Sequence, residues 1–210
     1  MRSGESADVV ASNRDVLQQA LNLPGTPRWL QQVHGTTLAE LGPLPGEHEP
    51  QADGAVSRIP GTVLAILTAD CLPVLFCADD GSAIGAAHAG WRGLAAGVLE
   101  ATIEQMQIAP SRQLAWLGPC IAGPSYEVGE EVRAAFVDRS AAAAACFTAT
   151  RPGHWHCDLA ALARQRLAAA GVARVRGGGF DTFVDPRFYS YRREGARSGR
   201  FASLIWLANG

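Results

Sequence analysis

The stretch TVLAILTADCLPVLFCADDGSAIGAAHAGWRG, residues 62–93, decides the fold. Residues 62–68 are a short, mostly apolar, β-leaning run that reads as a buried strand. Residues 72–77, LPVLFC, read as its continuation or its neighbour. Asp79-Asp80-Gly81 carries the chemistry of a hairpin turn, because Gly supplies positive φ and Asp tolerates the bend. Residues 83–88, AIGAAH, return as a strand whose small side chains permit close packing. Ala89-Gly90-Trp91-Arg92-Gly93 leads out of that strand, and a helix follows over about 94–107.

Upstream, residues 12–22 predict a helix with Ser12 or Asn13 as its cap and Val16, Leu17, Ala20 and Leu21 as its apolar stripe. Pro24, Gly25 and Pro27 end it. Residues 28–33, RWLQQV, predict a short strand entering His34-Gly35. The Pro- and Gly-rich residues 42–51 predict a loop, the flexible segment of the chain, which contains His48. Downstream, residues 113–118 predict a strand, 118–129 a Gly/Pro-rich loop, and a helix lies near 129–138. Ala141–Ala145 reads as helical or linking. A long amphipathic helix starts at about Leu159, with Asp158 as N-cap and Gly171 closing it. RFASLIWL supplies a last strand. The expected fold class is α+β: one domain over residues 1–210, with mixed sheets flanked by helices and no repeat or interdomain linker.

Composition bounds the function. The chain has 210 residues, 48% of them hydrophobic, enough for a substantial core. Its net charge is −2 and no basic run is present, which argues against a nucleic-acid partner. All 18 basic residues are arginine. Schiff-base and P-loop lysine chemistry are therefore excluded, and any anion must be held by arginine or backbone N–H groups. No apolar stretch approaches a membrane span, and the start MRSGESADVV lacks the apolar core of a signal peptide. The five cysteines, Cys71, Cys77, Cys120, Cys146 and Cys157, are odd in number and form no CxxC pair. A reduced, cytoplasmic setting with thiols available for metal or catalysis is expected.

Three residues occupy the tops of predicted strands: His34 before Gly35, Cys71 in Thr68-Ala69-Asp70-Cys71-Leu72-Pro73, and His88 before Gly90 and a helix. Sites on α/β scaffolds gather there. Two imidazoles and a thiolate suit a catalytic zinc whose fourth position stays open to water. Each residue alone has a blander reading: a buried Cys is ordinarily a packing residue, and a His beside Gly an ordinary loop residue. The separations match no zinc-finger spacing.

The words QQVHGT, ADG (52–54), LTADCLPVLF, GAAHAGWRGL, WLGPCIAGPSYEVG and SYRREGARSGRFASLIWL occur in this order from about Asn13 to Leu207. Together they resemble the YfiH family, also called the laccase-domain or multicopper polyphenol oxidase family. The resemblance implies a fold shared with cytotoxic necrotizing factor-like toxin domains. It implies metal ligation by His34, Cys71 and His88, with zinc or copper as cofactor. It also implies purine nucleoside phosphorolysis and adenosine deamination, with adenosine, inosine or methylthioadenosine and phosphate as partners. Within that expectation Cys71, His88 and Asp70 are the catalytic candidates, Asp70 as proton shuttle with Asp53 as the alternative. Arg92, Trp91, Cys120 and Arg192 are the substrate-binding candidates, the arginines for phosphate and Trp91 for stacking on a base. Tyr126, with Ser125 and Glu127, shares the loop of Cys120, and Arg193 reads as a structural ion pair.

Two departures stand out. Family members usually carry a further N-terminal stretch before the first helix, so the expectation is that either the start is truncated or a first strand is missing. Asp181-Thr182 stands where the family often has Cys-Thr. Three rival readings remain open: a hydrolase with Cys71 as nucleophile and His88 as base, an editing factor for peptidoglycan precursors, and a copper-dependent polyphenol oxidase. For the last, this chain's five histidines are few for several copper centres.

Overall fold

A computed structural model describes residues 5–208. The first helix, α1 (Ala7–Ala20), starts before the expected cap, because Ser6 takes the Val9 N–H and Asp8 lies in the first turn. Its stripe does not enter a core: Val16 and Leu21 are exposed, and the helix buries none of its residues. Arg14 ties it down instead, with its guanidinium 4.4 Å from the Trp29 ring and 2.6 Å from Glu49.

Residues 28–33 form no strand. Arg28 makes one isolated parallel bridge to Leu64, and the following polar groups pair elsewhere. Gln31 N–H goes to Pro50, the Gln32 amide brackets Leu67, and the N–H groups of Val33, His34 and Gly35 all reach Asp53. Trp29 and Leu30 are buried as expected of an inward segment. Two short strands that the sequence reading did not isolate come next, β1 (Leu38–Glu40) and β2 (Gly54–Ser57).

The deciding stretch gives β3 (Val63–Thr68), β4 (Leu72–Ala78) and β5 (Ile84–Ala89). β3 and β4 do not run on as one strand: Asp70 sits at φ +88 between them and sends them into different sheets. β4 and β5 form the expected hairpin, with Gly81 at φ +71 in its turn. The helix after β5 starts at Trp91 and breaks at Gly97, φ +110, into α2 (Trp91–Ala96) and α3 (Val98–Gln105). β6 (Gln113–Leu117) follows, then β7 (Glu127–Gly129) out of the Gly/Pro loop, and α4 (Glu130–Val137). Ala141–Cys146 is a 3-10 stretch. HWHC is a strand: β8 (Phe147–Arg151) and β9 (His154–Cys157) form a hairpin, and α5 (Leu159–Ala169) begins where expected, with Asp158 accepting from Ala161 N–H. β10 (Arg174–Gly177), the one-turn α6 (Tyr191–Glu194) and β11 (Phe201–Trp206) complete the chain.

The main sheet runs β1-β2-β5-β4-β6-β10; its outer pairs β1·β2 and β6·β10 are parallel and the inner pairs antiparallel. β3 and β11 pair antiparallel in a second sheet, and β7, β9 and β8 make a third. This is the α+β architecture of mixed sheets. α3 lies close on β5: a Cβ at Gly85 would meet Thr102 at 3.0 Å and Met106 sulfur at 3.2 Å. Leu72, Val74, Phe76, Leu94, Leu99 and Leu117 form the centre of the larger core, and Leu64, Ile66 and Ile84 that of a smaller one under β3. Among the described residues no helix is long and apolar enough to cross a membrane.

Candidate metal centre

His34, from a loop and not from the expected strand end, meets Cys71, which directly precedes β4, and His88, near the end of β5. Their ligand atoms all lie within 4.8 Å of one another, with Cys71 Sγ 3.8 Å from His34 Nε2 and the imidazole centroids 4.7 Å apart. A tetrahedral zinc with bonds of about 2.0 and 2.3 Å separates N from S by roughly 3.5 Å, so the donor set fits a metal in type and spacing. Among the described residues this is the only cluster of three such ligands.

Each ligand is placed by a local device. His34 adopts φ +64, the left-handed region that non-glycine residues rarely occupy. It is held there because Asp53 Oδ1 takes its N–H at 2.8 Å while Oδ2 takes those of Gly35 and Val33 at 2.6 and 3.1 Å. Cys71 follows the strained Asp70. His88 is the penultimate residue of β5, where its N–H meets the Asp53 carbonyl at 2.7 Å. Two glycines let α2 approach: a Cβ at Gly90 would lie 2.9 Å from Cys71 Sγ and 3.0 Å from the His34 ring, and one at Gly93 would lie 2.9 Å from the Gly35 carbonyl.

Asp53, considered above as a proton shuttle, is fully buried behind the ligands. Its Oδ1 lies 2.9 Å from His88 Nδ1, which leaves His88 Nε2 for the metal. Burial pushes its carboxyl up, but the bond to His88 and the N–H groups of Gly35, His34 and Val33 hold it below its ordinary value. Burial likewise opposes charge on Cys71. The His88 charge, then hydrogen bonds from His34 and His88, overcome it and bring the thiol down to about 6. His88 is lowered by burial and raised by the Cys71 charge and the Asp53 bond, to about 9. Both shifts favour a thiolate on Cys71 and a proton on His88 in the metal-free site.

Asp70, the other shuttle candidate, has both carboxylate oxygens engaged: Oδ1 takes the Thr182 hydroxyl at 2.7 Å and Oδ2 the Arg192 N–H at 2.6 Å. The Arg92 guanidinium stacks over Trp91 at 4.3 Å, and Trp91 packs partly on the large core. Cys120 is buried, its thiol pushed up to about 12 by burial and then by Asp158, and it stands outside the ligand cluster. Arg192 lies 5.3 Å from the Tyr126 ring. Trp91, Tyr126 and Arg192 line one cleft of about 360 Å³, with Glu127, Arg151 and His154 at its wall. No sequence motif gives Tyr126 a role or points to His154 or Arg151 at this cleft. Arg193 is structural: it binds the carbonyls of Thr182, Phe183 and Phe188 and the Glu194 carboxylate. Asp181 pins the Cys120 loop through Ala122 N–H and the Ser125 hydroxyl, which gives this departure a local use.

The family model described as multi-copper polyphenol oxidoreductase laccase matches residues 1–208. A purine nucleoside phosphorylase of Xylella fastidiosa (strain Temecula1) is 52% identical, over 98% of this chain and 81% of its own length. Purine nucleoside phosphorylase YfiH of Escherichia coli K12 is 48% identical, over 97% of this chain and 83% of its own. The chain belongs to the YfiH family. The fold of this YfiH-family chain agrees with solved structures: a Neisseria meningitidis protein, assigned to DUF152, superposes with TM-score 0.93 at 42% identity, covering 100% of this chain and 85% of that one. YlmD of Geobacillus stearothermophilus superposes at 0.87 with 27% identity, covering 100% and 84%.

Proposed function

We propose that this chain is a metal-dependent purine nucleoside phosphorylase that also deaminates adenosine, with adenosine, inosine and methylthioadenosine as nucleosides. The observation that carries the reading is the His34–Cys71–His88 cluster, whose Cys71 neighbour Asp70 holds Arg192, a residue of the cleft that Trp91 and Tyr126 also line. The names of the relatives support it. In phosphorolysis, nucleoside and phosphate become free base and pentose 1-phosphate; in deamination, adenosine and water become inosine and ammonia.

His34, Cys71 and His88 would hold zinc or copper, and a metal bound there supplies a Lewis acid to the reaction. The rest of the work falls to side chains. Asp53 fixes the His88 ring and its tautomer, so that Nε2 faces the ligand cluster. Arg92 and Arg192 supply the fixed positive charge that attracts phosphate. Trp91 and Tyr126 offer aromatic faces to the purine. Cys120 is buried beside the Cys71 loop, where the N–H of its neighbour Ile121 meets the Asp70 carbonyl at 3.0 Å. Asp70 receives no proton-transfer role in this reading, because its two oxygens are engaged.

Chromatography of adenosine incubated with purified, metal-loaded protein tests the reading. Adenine that forms only with phosphate establishes phosphorolysis, and inosine without phosphate establishes deamination. No turnover under either condition overturns both.

One observation favours a second reading. The Cys71 thiolate, His88 and Asp53 stand in the order nucleophile, base and orienting acid, the arrangement of a cysteine hydrolase. Full activity after metal removal, abolished by alkylation of Cys71, would select it; competition by a peptidoglycan precursor would then define its substrate. A multicopper oxidase needs ligand sets beyond the one cluster among the described residues.

A further inference from the structure

Arg192 is delivered to the cleft from far along the chain. It is the second residue of α6, and its N–H ends on Asp70 Oδ2 at 2.6 Å. The other oxygen of Asp70 takes the hydroxyl of the buried Thr182 at 2.7 Å, and the Asp70 carbonyl takes Ile121 N–H at 3.0 Å. One residue thus joins the Cys71 loop, the loop that leads to Tyr126, and the segment that carries Arg192. Asp70 holds this position at φ +88, a conformation that persists only where its surroundings impose it.

The guanidinium placed this way has no carboxylate partner among the described residues. Its Nη1 and Nη2 share the Glu127 carbonyl at 3.2 Å, and its carbon lies over the Tyr126 ring. The other donors of the fork are left for a ligand. The Tyr126 hydroxyl has no hydrogen-bond partner among the described residues, and the ring lines the same cleft as Arg192 and Trp91. Burial above all raises the phenol above its ordinary value, against the pull of Arg192 and Arg92. A phenol O–H beside an unpaired guanidinium is a donor pair for an oxyanion.

We propose that Arg192 and the Tyr126 hydroxyl form the subsite for inorganic phosphate beside the metal ligands, with Asp70 as the positioning residue that sets Arg192 there. The proposal rests on the phosphorolysis reading and assigns its co-substrate to particular atoms.

Calorimetric titration of the metal-loaded full chain with inorganic phosphate, together with steady-state kinetics on inosine, tests it. Arg192→Ala and Tyr126→Phe each weaken phosphate binding by about tenfold, the scale of one lost charge-assisted hydrogen bond. Asp70→Asn removes the charge and one of the two acceptor oxygens that hold Thr182 and Arg192 N–H, and it weakens phosphate binding by a similar factor with bound metal at the wild-type level. Thr182→Val moves the same way and Thr182→Ser restores wild-type affinity; this pair carries the test if Asp70→Asn does not fold. In all weakened variants KM for phosphate rises more than KM for inosine. Wild-type phosphate affinity in Tyr126→Phe, or in Thr182→Val, overturns the proposal. If the wild type releases base from inosine and the variants keep its phosphate KM, the subsite fails and the phosphorylase reading stands. If phosphate binds through these residues and no base is released, the reading fails and the subsite stands.

Discussion

Asp53 Oδ1 lies 2.9 Å from His88 Nδ1, and the same oxygen takes the backbone N–H of His34 at 2.8 Å. One buried carboxylate therefore orients one ligand through its ring and another through its backbone. Asp53→Asn sets an amide NH2 against at least one of these donors. Metal affinity is expected to fall about 10–100-fold and stability by about 1–3 kcal/mol. Chelator competition and denaturant unfolding measure the two. Because the folded carboxyl sits below its unfolded value of 3.8, its contribution is present above that value and lost as pH falls through the lower folded one. The variant lacks that acid limb; an unchanged limb would refute the role.

His34→Ala, Cys71→Ala and His88→Ala are each expected to lose most bound metal. Elemental analysis of the purified variants decides it, and wild-type stoichiometry in all of them would sink the triad.

Gly90→Ala tests the site without touching a ligand. The added Cβ would stand 2.9 Å from Cys71 Sγ and 3.0 Å from the His34 ring, closer than such contacts tolerate. Metal affinity should drop while secondary structure, read by circular dichroism, stays as in wild type. Undiminished affinity would mean that α2 retreats freely from the ligands.

In metal-free protein the Cys71 thiolate should titrate near pH 6, seen as thiolate absorbance at 240 nm that Cys71→Ala removes. The sign differs for the two partners. The lowered Cys71 stabilises the fold at high pH and loses its contribution as pH falls through about 6. The raised His88 stabilises at low pH and loses its contribution as pH rises through about 9. The ion pair is thus complete only between those values, and a thiol titrating near 9 instead would refute it.

Arg92→Ala should weaken use of phosphate more than binding of nucleoside. The guanidinium is exposed, stacks on Trp91, and helps hold the charge balance around Tyr126. An unchanged apparent phosphate affinity would confine Arg92 to the surface.

Much of the frame was legible in the sequence. β3, the β4–β5 hairpin, β6, α4, α5 and β11 lie where apolar runs and turn residues placed them, because those signals are local. Residues 28–33 misled the reading because a strand is defined by its partners: their N–H groups end on Pro50 and Asp53, not on a neighbouring strand. β1, β2, β8 and β10 are short and polar or small, and form through pairing the chain does not announce. α1 shows an amphipathic pattern that packs against no core.

By itself the sequence determined the chemistry on offer: two imidazoles and a thiolate, arginine as the sole fixed cation, and motif words specific to one family. Only the tertiary structure decided how that chemistry is arranged. It turned Asp53 from a candidate acid into the brace behind His88, and Asp70 into the tie between Cys71 and Arg192. The physical reason is that a carboxylate's role depends on which donors surround it. The donors here come from residues as far apart as Val33 and Arg192, which no local pattern brings together.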